Sequence, residues 1–425
     1  MLKIRAVAAI VAVLGMAAPA RAQGSALNSG DTAWVLAATC LVLLMTIPGL
    51  ALFYGGLVRK KNVLSTLMQS FAACCLVTLL WVAVGYSLAF SGQGALLGDG
   101  AKIFLMGVGK DSLAGTIPEV LFMVFQMTFA IITPAVVCGA FADRMKFSSL
   151  LVFLGAWVLL VYAPVAHWVW GGGFLMQMGL LDFAGGTVVE INSGVAGLVA
   201  ALMLGKRRGF PQEPMPPHNL ILSVTGASLL WVGWLGFNGG SALAANGTAA
   251  VALANTQVAG AAGALAWLAM EWKIHQRPSV LGIISGAVAG LVAITPACAF
   301  VSPLGAITIG LLAGLCCFYA ATSLKRRFGY DDSLDVFGVH GIGGIVGTLG
   351  IGVFAAAGWG GTSGLIEGNA GQLLVQAFGC VVVAVWCAIV SYCLLIAIEK
   401  TMGLRVSREV EIEGLDLNLH GEVVP

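Results

Sequence analysis

Two ionisable residues, Glu190 and His340, lie inside long apolar stretches, and each follows an aspartate by eight residues. Asp182 begins the string DFAGGTVVEINSGVAG, which contains Glu190, and Asp332 begins DSLDVFGVHGIGGIVG, which contains His340. A charged group near the centre of a bilayer is costly and usually marks a pathway. We therefore expect the two stretches to face each other, with Glu190 and His340 lining a conduction path.

The chemistry open to this pair is the binding of a proton or a small cation. An imidazole and a carboxylate can hydrogen-bond to each other, and both can accept from an N–H donor. In apolar surroundings the two groups should titrate as one coupled system. Asp182 is expected to cap the helix that follows it, because a membrane helix cannot leave its first amides unpaired.

The composition predicts an all-α polytopic membrane protein. The 425 residues are 59% hydrophobic and only 9% charged, whereas soluble domains carry about 25% charged residues. The ten cysteines form no C-x-x-C pair and no cluster with histidines at zinc spacing. We interpret them as small buried hydrophobes and expect no metal, no cofactor and no nucleic-acid partner.

The chain order predicts a cleavable signal peptide and eleven membrane spans. Residues 1–22 have a basic start, an apolar core and the string ARA before Gln23, which is the form of a signal peptide, with an uncleaved first anchor as the alternative. Apolar stretches near the roughly 20 residues that a span requires follow at 34–58, 66–91, 119–142, 148–169, 186–205, 219–240, 252–272, 280–296, 303–323, 336–356 and 372–399. Residues 23–400 form this membrane domain.

The basic residues predict the topology. With the N-terminus outside and the C-terminus inside, the inner segments and the C-terminal end carry sixteen Lys and Arg residues, and the outer loops carry two, Lys102 and Lys110. This asymmetry is typical of the positive-inside rule. Spans one to five and six to ten then have opposite orientations, as in an inverted 5+5 repeat, and an eleventh span is left over. The polar tail, residues 401–425, is a candidate for regulation or partner docking.

Aromatic residues near the outer ends of spans have two interpretations. His167 lies beside Trp168 and Trp170. We interpret this region as an aromatic belt at the membrane–water interface, with an outer binding surface as the alternative. Phe129 and Phe237 fall in outer parts of the third and sixth spans. For each ring the preferred interpretation is contact with lipid or with the protein core, and the alternative is a role in a gate.

Several strings of the mature chain resemble the Amt/Mep/Rh ammonium transporter family, in particular its bacterial branch. They are FYGGLVRKKNVLS, FQMTFA, AHWVWGGG, LDFAGGTVV, GWLGFNGGSA, TPACAFVSP, DVFGVHGIGGIVG and GLRVSREVEIEGLDLNLHGE. The resemblance implies a homotrimer in the bacterial inner membrane, surrounded by lipid, with one narrow hydrophobic pore for ammonium or ammonia through each subunit. It implies a transporter and no enzyme.

The resemblance also assigns roles to residues at matching positions. It implies an outer recruitment site for ammonium, a pair of stacked rings that closes the outer mouth, and an aspartate that orders the backbone near the site. These positions are Phe129, Trp170 and Ser241 for recruitment, Phe129 and Phe237 for the rings, and Asp182 for the backbone, and we assign Asp332 the same structural role from its equal spacing. Glu190 and His340 occupy the positions of the pore pair.

The chain departs from the family pattern at Glu190, where most members carry a histidine. Two imidazoles suit a relay in which ammonium loses its proton at the mouth and neutral ammonia crosses. A carboxylate could instead hold the proton, form an ion pair with His340, or stabilise the cation itself. We expect higher flux, lower affinity and altered selectivity over potassium.

The tail resembles the cytoplasmic segment that couples subunits in the family and receives a PII-type signalling protein. Two other functions stay open from the sequence. One is an ammonium sensor that signals through such a partner while transporting little. The other is an intramembrane hydrolase using the G-T-S-G string at Gly361 to Gly364, although this string lies in a glycine-rich outer loop and not in a span.

Overall fold

The computed structural model describes residues 26–424, so the predicted signal peptide at 1–22 lies outside the described residues. In this part of the chain, ten helices are long and apolar enough to cross a membrane, and one further apolar helix is shorter. We number them as spans in chain order: Ser29–Leu57, Lys60–Phe90, Glu119–Ala140, Phe147–Gln177, Gly186–Leu204, Leu220–Gly240, Gly247–His275, Val280–Ile294, Pro303–Phe328, Phe337–Phe354 and Ala370–Thr401. The predicted all-α fold of eleven spans is confirmed, and we keep the terms inner and outer for the two sides predicted above.

Several spans contain a wider, π-helical turn. These turns are Trp81–Gly85 in span 2, Val158–Tyr162 in span 4, Gly186–Ile191 in span 5, Ala320–Leu324 in span 9 and Phe337–Gly341 in span 10. Span 1 is instead kinked within Met45–Leu50, where the backbone of Ile47 is not helical. Spans 5 and 10 both open on such a turn, and the two turns contain Glu190 and His340. Single π turns inside membrane helices are frequent at functional sites.

Glycines bring spans 5 and 10 into direct backbone contact. A Cβ atom at Gly194 would lie 2.2 Å from the backbone nitrogen of Gly341, and one at Gly344 would lie 2.8 Å from the Cβ of Glu190. Any side chain at these positions would push the two helices apart. The small residues therefore let the two spans approach closely enough for Glu190 and His340 to meet.

The outer side is closed by short elements between the spans. An antiparallel pair of two-residue strands, Leu113–Ala114 and Ile117–Pro118, precedes span 3. Short helical turns lie at Ile103–Leu105, Ala357–Gly360 and Leu365–Glu367. A side-chain cap begins span 1, where the N–H of Asp31 donates to Asn28.

The tail packs against the inner ends of the spans as two short helices, Arg408–Glu413 and Asp416–His420. The buried carboxylate of Asp416 accepts hydrogen bonds from the backbone N–H groups of Leu64 (3.0 Å) and Ser65 (2.7 Å), at the start of the regular α-helix of span 2. Glu411 in turn pairs with Arg405 at 2.8 Å. The tail is thus an ordered part of the inner surface.

Candidate functional site

Glu190 and His340 are in direct contact. Nδ1 of His340 lies 2.7 Å from Oε2 of Glu190, and the two residues are 1% and 6% exposed. In this contact Nδ1 either donates to an ionised carboxylate or accepts from a protonated carboxyl, and in both cases Nε2 of the imidazole is left for another partner. The expected facing of the two stretches is therefore present in the structure.

A narrow apolar cavity of about 10 Å³ borders the pair on its outer side. That volume is close to the space of a single water molecule. Glu190 and His340 are its only ionisable lining groups among the described residues, and the other lining side chains are aliphatic, aromatic or thioether. Such a cavity favours a small neutral molecule over a hydrated ion.

Two stacked phenylalanine rings close the outer end of this cavity. The ring centroids of Phe129 and Phe237 are 4.0 Å apart, with 26° between the ring planes, and both side chains are buried. Phe237 lines the narrow cavity, whereas Phe129 lines a larger cavity on the outer side. The stacked pair therefore separates the two spaces.

The outer cavity, of about 480 Å³, brings together the predicted recruitment residues. The indole of Trp170 stands at 89° to the Phe129 ring, with 6.0 Å between the ring centroids. The hydroxyl of Ser241 donates to the carbonyl oxygen of Phe237 (2.8 Å), so its lone pairs are left to accept from a ligand. Two aromatic rings and one acceptor therefore line this space.

Asp182 orders the backbone at the base of the outer cavity. Its carboxylate accepts from the backbone N–H groups of Gly185 (2.8 Å), Gly186 (2.7 Å) and Thr187 (2.7 Å). These are amides at the start of span 5 that the helix itself cannot satisfy. Its backbone oxygen accepts from Nε1 of Trp170 (2.8 Å). One residue thus connects the cap of span 5 to the indole of the recruitment site.

Asp332 occupies the corresponding place before span 10, with fewer contacts. Its Oδ2 accepts from the backbone N–H of Phe337 (2.7 Å), and its buried Oδ1 has no hydrogen-bond partner among the described residues. Burial raises the pKa of Asp332 to about 6, and the charge of Lys325 only partly offsets this. The two aspartates have equal spacing to their pore residues in the sequence, but their carboxylates have different hydrogen-bond partners in the structure.

A third cavity, of about 340 Å³, opens on the inner side, and His340 lines both it and the narrow cavity. Lys325 and Asp335 also line the inner cavity and form an ion pair at 2.8 Å. Neither residue stood out in the sequence, because a Lys and an Asp near an inner span end are ordinary surface residues. Three cavities thus follow one another, with the stacked rings and the Glu190–His340 pair between them.

Gln372 and Gln376, which contact the backbone near Asp182, were not predicted as site residues. Their spacing within an apolar span could have pointed to them. Two amides spaced one helical turn apart in an apolar span require buried partners, because lipid supplies none.

Comparison with known proteins gives a consistent result. The model of the Ammonium Transporter Family matches residues 33–424. The chain is 49% identical to an ammonium transporter of Aquifex aeolicus over 406 residues, which cover 95% of each protein. It is 49% identical to an ammonium transporter of Bacillus subtilis over 400 residues, covering 93% of this chain and 98% of the relative.

Solved structures resemble it along the same length. The crystal structure of Mep2 from Saccharomyces cerevisiae is 36% identical, with a TM-score of 0.84, over 90% of this chain and 88% of that one. A structure described as a sensor Amt protein is 29% identical, with a TM-score of 0.86, over 92% of this chain and 98% of that one.

Proposed function

The chain belongs to the Ammonium Transporter Family, and we propose that it moves ammonium across the membrane by way of Glu190 and His340. The observation that carries this proposal is the position of the pair. A buried carboxylate and imidazole lie 2.7 Å apart between a narrow apolar cavity and an inner cavity, behind two stacked rings.

Recruitment takes place in the outer cavity. The faces of Trp170 and Phe129 attract a small cation through their ring quadrupoles, an interaction of about 0.5–2 kcal/mol for each favourable ring. The Ser241 hydroxyl accepts one N–H bond from the same cation. This combination selects an ammonium ion by charge, by size and by its ability to donate hydrogen bonds.

Passage requires the stacked rings of Phe129 and Phe237 to move, because they stand between the outer and narrow cavities. The space beyond them admits about one small molecule and offers few polar partners. A charged ion there loses most of its hydration, a cost of many kcal/mol unless a counter-charge is present. The carboxylate of Glu190 supplies such a counter-charge.

Glu190 therefore changes the balance between ammonia and ammonium in the pore. A pair of neutral imidazoles favours a neutral molecule, whereas a carboxylate holds either the cation or the proton that the cation releases. We propose that Glu190 increases flux, weakens affinity and relaxes the exclusion of potassium. The transported species is ammonia, ammonia with a separately moved proton, or ammonium.

The test is an ammonium-evoked current across liposomes that contain the purified protein. We expect a saturating current with ammonium and a much smaller one with potassium, and we expect Glu190→Gln to lower the ammonium current at least about tenfold, as the loss of a buried charge contact would. Glu190→His is the matched variant, and we expect it to lower the half-saturation concentration for ammonium and to exclude potassium more strictly. An unchanged current, affinity and potassium ratio in Glu190→His would exclude a role for the carboxylate.

A neutral route is separated from a charged one in the same vesicles. If ammonium evokes no current, internal alkalinisation measured with a pH dye indicates passage of neutral ammonia. If neither signal occurs, the second candidate function, an ammonium sensor, takes precedence. The likeness to a sensor Amt protein over nearly its whole length supports keeping that candidate.

We further propose a homotrimer in the bacterial inner membrane, with the tail as the docking site of a PII-type signalling protein. The ordered packing of Asp416 and Glu411 against the inner surface supports a coupling role for the tail. Removal of residues 401–425 should abolish regulation or transport, and a pull-down from nitrogen-shocked cells should recover the partner. Unchanged transport without the tail would contradict the coupling.

We propose that residues 1–22 are removed as a signal peptide, which leaves Gln23 as the first residue. N-terminal sequencing of the purified protein tests this directly. A mature chain that still begins at Met1 would instead indicate an uncleaved anchor.

A further inference from the structure

Span 11 carries a buried amide that hydrogen-bonds to the backbone of the outer cavity. The side chain of Gln376 has no solvent exposure. Its Nε2 donates to the carbonyl oxygens of Leu181 (2.7 Å) and Thr348 (3.2 Å). Its Oε1 accepts from the backbone N–H of Leu181 (2.9 Å) and from Nε2 of Gln372 (3.0 Å). Both backbone groups of Leu181 are therefore held by one side chain.

These four contacts use the full hydrogen-bonding capacity of the Gln376 amide, which is two donors and two acceptor lone pairs. They also fix its orientation, because a flipped amide would set its NH2 group against the N–H of Leu181 and its oxygen against two carbonyls. A fully satisfied buried amide in a membrane helix holds its partners in one geometry.

The segment that Gln376 holds, residues 179–183, lines the outer cavity. Gln372, one turn away on the same face of span 11, donates to the carbonyl of Gly179 (3.1 Å). At the other end, the N–H of Phe183 donates to the carbonyl of Pro296 (3.0 Å). Between these points Asp182 accepts the Trp170 indole N–H. The segment is thus fixed from several sides around the residue that orients Trp170.

We propose that Gln376 is a positioning residue of the outer ammonium site. By fixing Leu181, it sets the place of the adjacent Asp182 carbonyl, and through that carbonyl it sets the angle of the Trp170 indole to Phe129. This assigns a function to the eleventh span, which stands outside the 5+5 repeat. The inference rests on the proposed transport function.

The chemical nature of this contact suits its place. A neutral amide holds the backbone without adding positive charge beside a site that attracts a cation. An arginine or lysine at the same position would repel ammonium across a low-dielectric gap, where charges interact strongly. Gln376 therefore supports the geometry of the site and leaves its electrostatics unchanged.

The experiment measures ammonium uptake against concentration in liposomes for Gln376→Met, a variant of similar length that loses all four hydrogen bonds. We expect the half-saturation concentration to rise about five- to tenfold, from the loss of a few buried hydrogen bonds, with the maximal rate within about twofold of the unmodified protein. Hydrogen exchange at the Leu181 amide should also accelerate at least about tenfold.

Two variants make the result specific. Gln372→Met removes the bond to Gly179 and one of the four bonds of Gln376, while both bonds between Gln376 and Leu181 stay, so its half-saturation should rise about two- to threefold. Ser391→Ala removes a buried polar contact of the same helix, to Nε1 of Trp157 (3.0 Å), away from the outer cavity, and should leave half-saturation unchanged. If Gln376→Met does not fold, Gln372→Met decides the question.

Unchanged half-saturation in Gln376→Met, or in Gln372→Met if the first variant does not fold, would overturn the proposal. A loss of maximal rate equal to that of Ser391→Ala, with no change in half-saturation, would do the same, since it would show a structural contact only. No ammonium uptake by the unmodified protein would overturn the proposed function itself, and this result is seen before any variant is compared.

Discussion

The two half-repeats share their spacing and their π-helical opening turns, yet they are stabilised by different chemistry. In the outer half the carboxylate of Asp182 accepts from four backbone amides, while in the inner half that of Asp332 accepts from one and leaves an oxygen unpaired. The outer half therefore has a carboxylate whose two oxygens are both occupied by the cap of span 5. The inner half has a buried carboxyl with one oxygen unpaired among the described residues.

The residue that precedes each aspartate is also held differently. On the outer side, the backbone of Leu181 is held by the neutral amide of Gln376. On the inner side, the carboxylate of Asp331 pairs with the buried guanidinium of Arg207, at 2.8 Å in the closest contact, and the pKa of Asp331 is lowered because these contacts outweigh the cost of burial. The side that receives a cation uses neutral donors, and the side rich in basic residues uses ion pairs.

The largest expected effect comes from replacing each aspartate by asparagine. In Asp182→Asn one side-chain oxygen becomes an NH2 group that faces backbone donors, so we expect a loss of about 2–4 kcal/mol in the free energy of unfolding at pH 7.5. In Asp332→Asn the new NH2 group takes the unpaired position, so the change should stay within about 1 kcal/mol. Thermal unfolding in detergent measures both, and equal losses would contradict the difference between the halves.

A smaller effect concerns the pH dependence of stability. The folded-state pKa of Asp332, about 6, lies above the unfolded value of about 3.9, so between these values the folded protein keeps its proton longer. Its contribution to stability therefore falls as the pH rises from about 4 to above 6, by at most about 3 kcal/mol. Asp332→Asn should remove this component between pH 4.5 and 7.5. A slope that is identical in the variant would show that other groups produce it.

The fold was predictable because the bilayer imposes strong rules. The hydrophobic thickness of the bilayer sets the length of each span, and the positive-inside rule sets where the basic residues lie. Both features can be read from the sequence, and so can the equal spacing in the two half-repeats. The equal spacing also led to the facing of Glu190 and His340, although 150 positions separate them. Their role in transport stays a proposal.

The remaining features depend on packing between spans that no local pattern connects. The contact of Phe129 with Phe237 joins spans 3 and 6, which are not repeat mates, so only the family resemblance pointed to it. The unequal bonding of Asp182 and Asp332 depends on where neighbouring backbone amides fall in space. The reach of Gln376 to Leu181 depends on how span 11 lies against the rest, and periodicity carries no information on that.

The smallest effect is expected from changing the charge on the outer side. It tests whether the low number of positive charges there favours the binding of ammonium in the outer cavity. Lys102, one of two basic residues in the predicted outer loops, pairs with Glu119 at the start of span 3. Glu119 also accepts from the hydroxyl of Tyr86 (2.9 Å), whose ring packs against Phe122, a residue of the outer cavity wall. The ion pair thus cancels the charge of Lys102 close to the entrance.

Lys102→Gln should expose the negative charge of Glu119 and lower the half-saturation concentration for ammonium by less than about twofold at low ionic strength, because local cation concentration follows the surface potential. The effect should disappear near 1 M salt, where the screening length is about 3 Å. Glu119→Gln is the control and should shift half-saturation in the opposite direction. A change that persists in high salt would instead indicate a rearranged cavity wall. The Lys102–Glu119 pair would then affect recruitment through packing and not through charge.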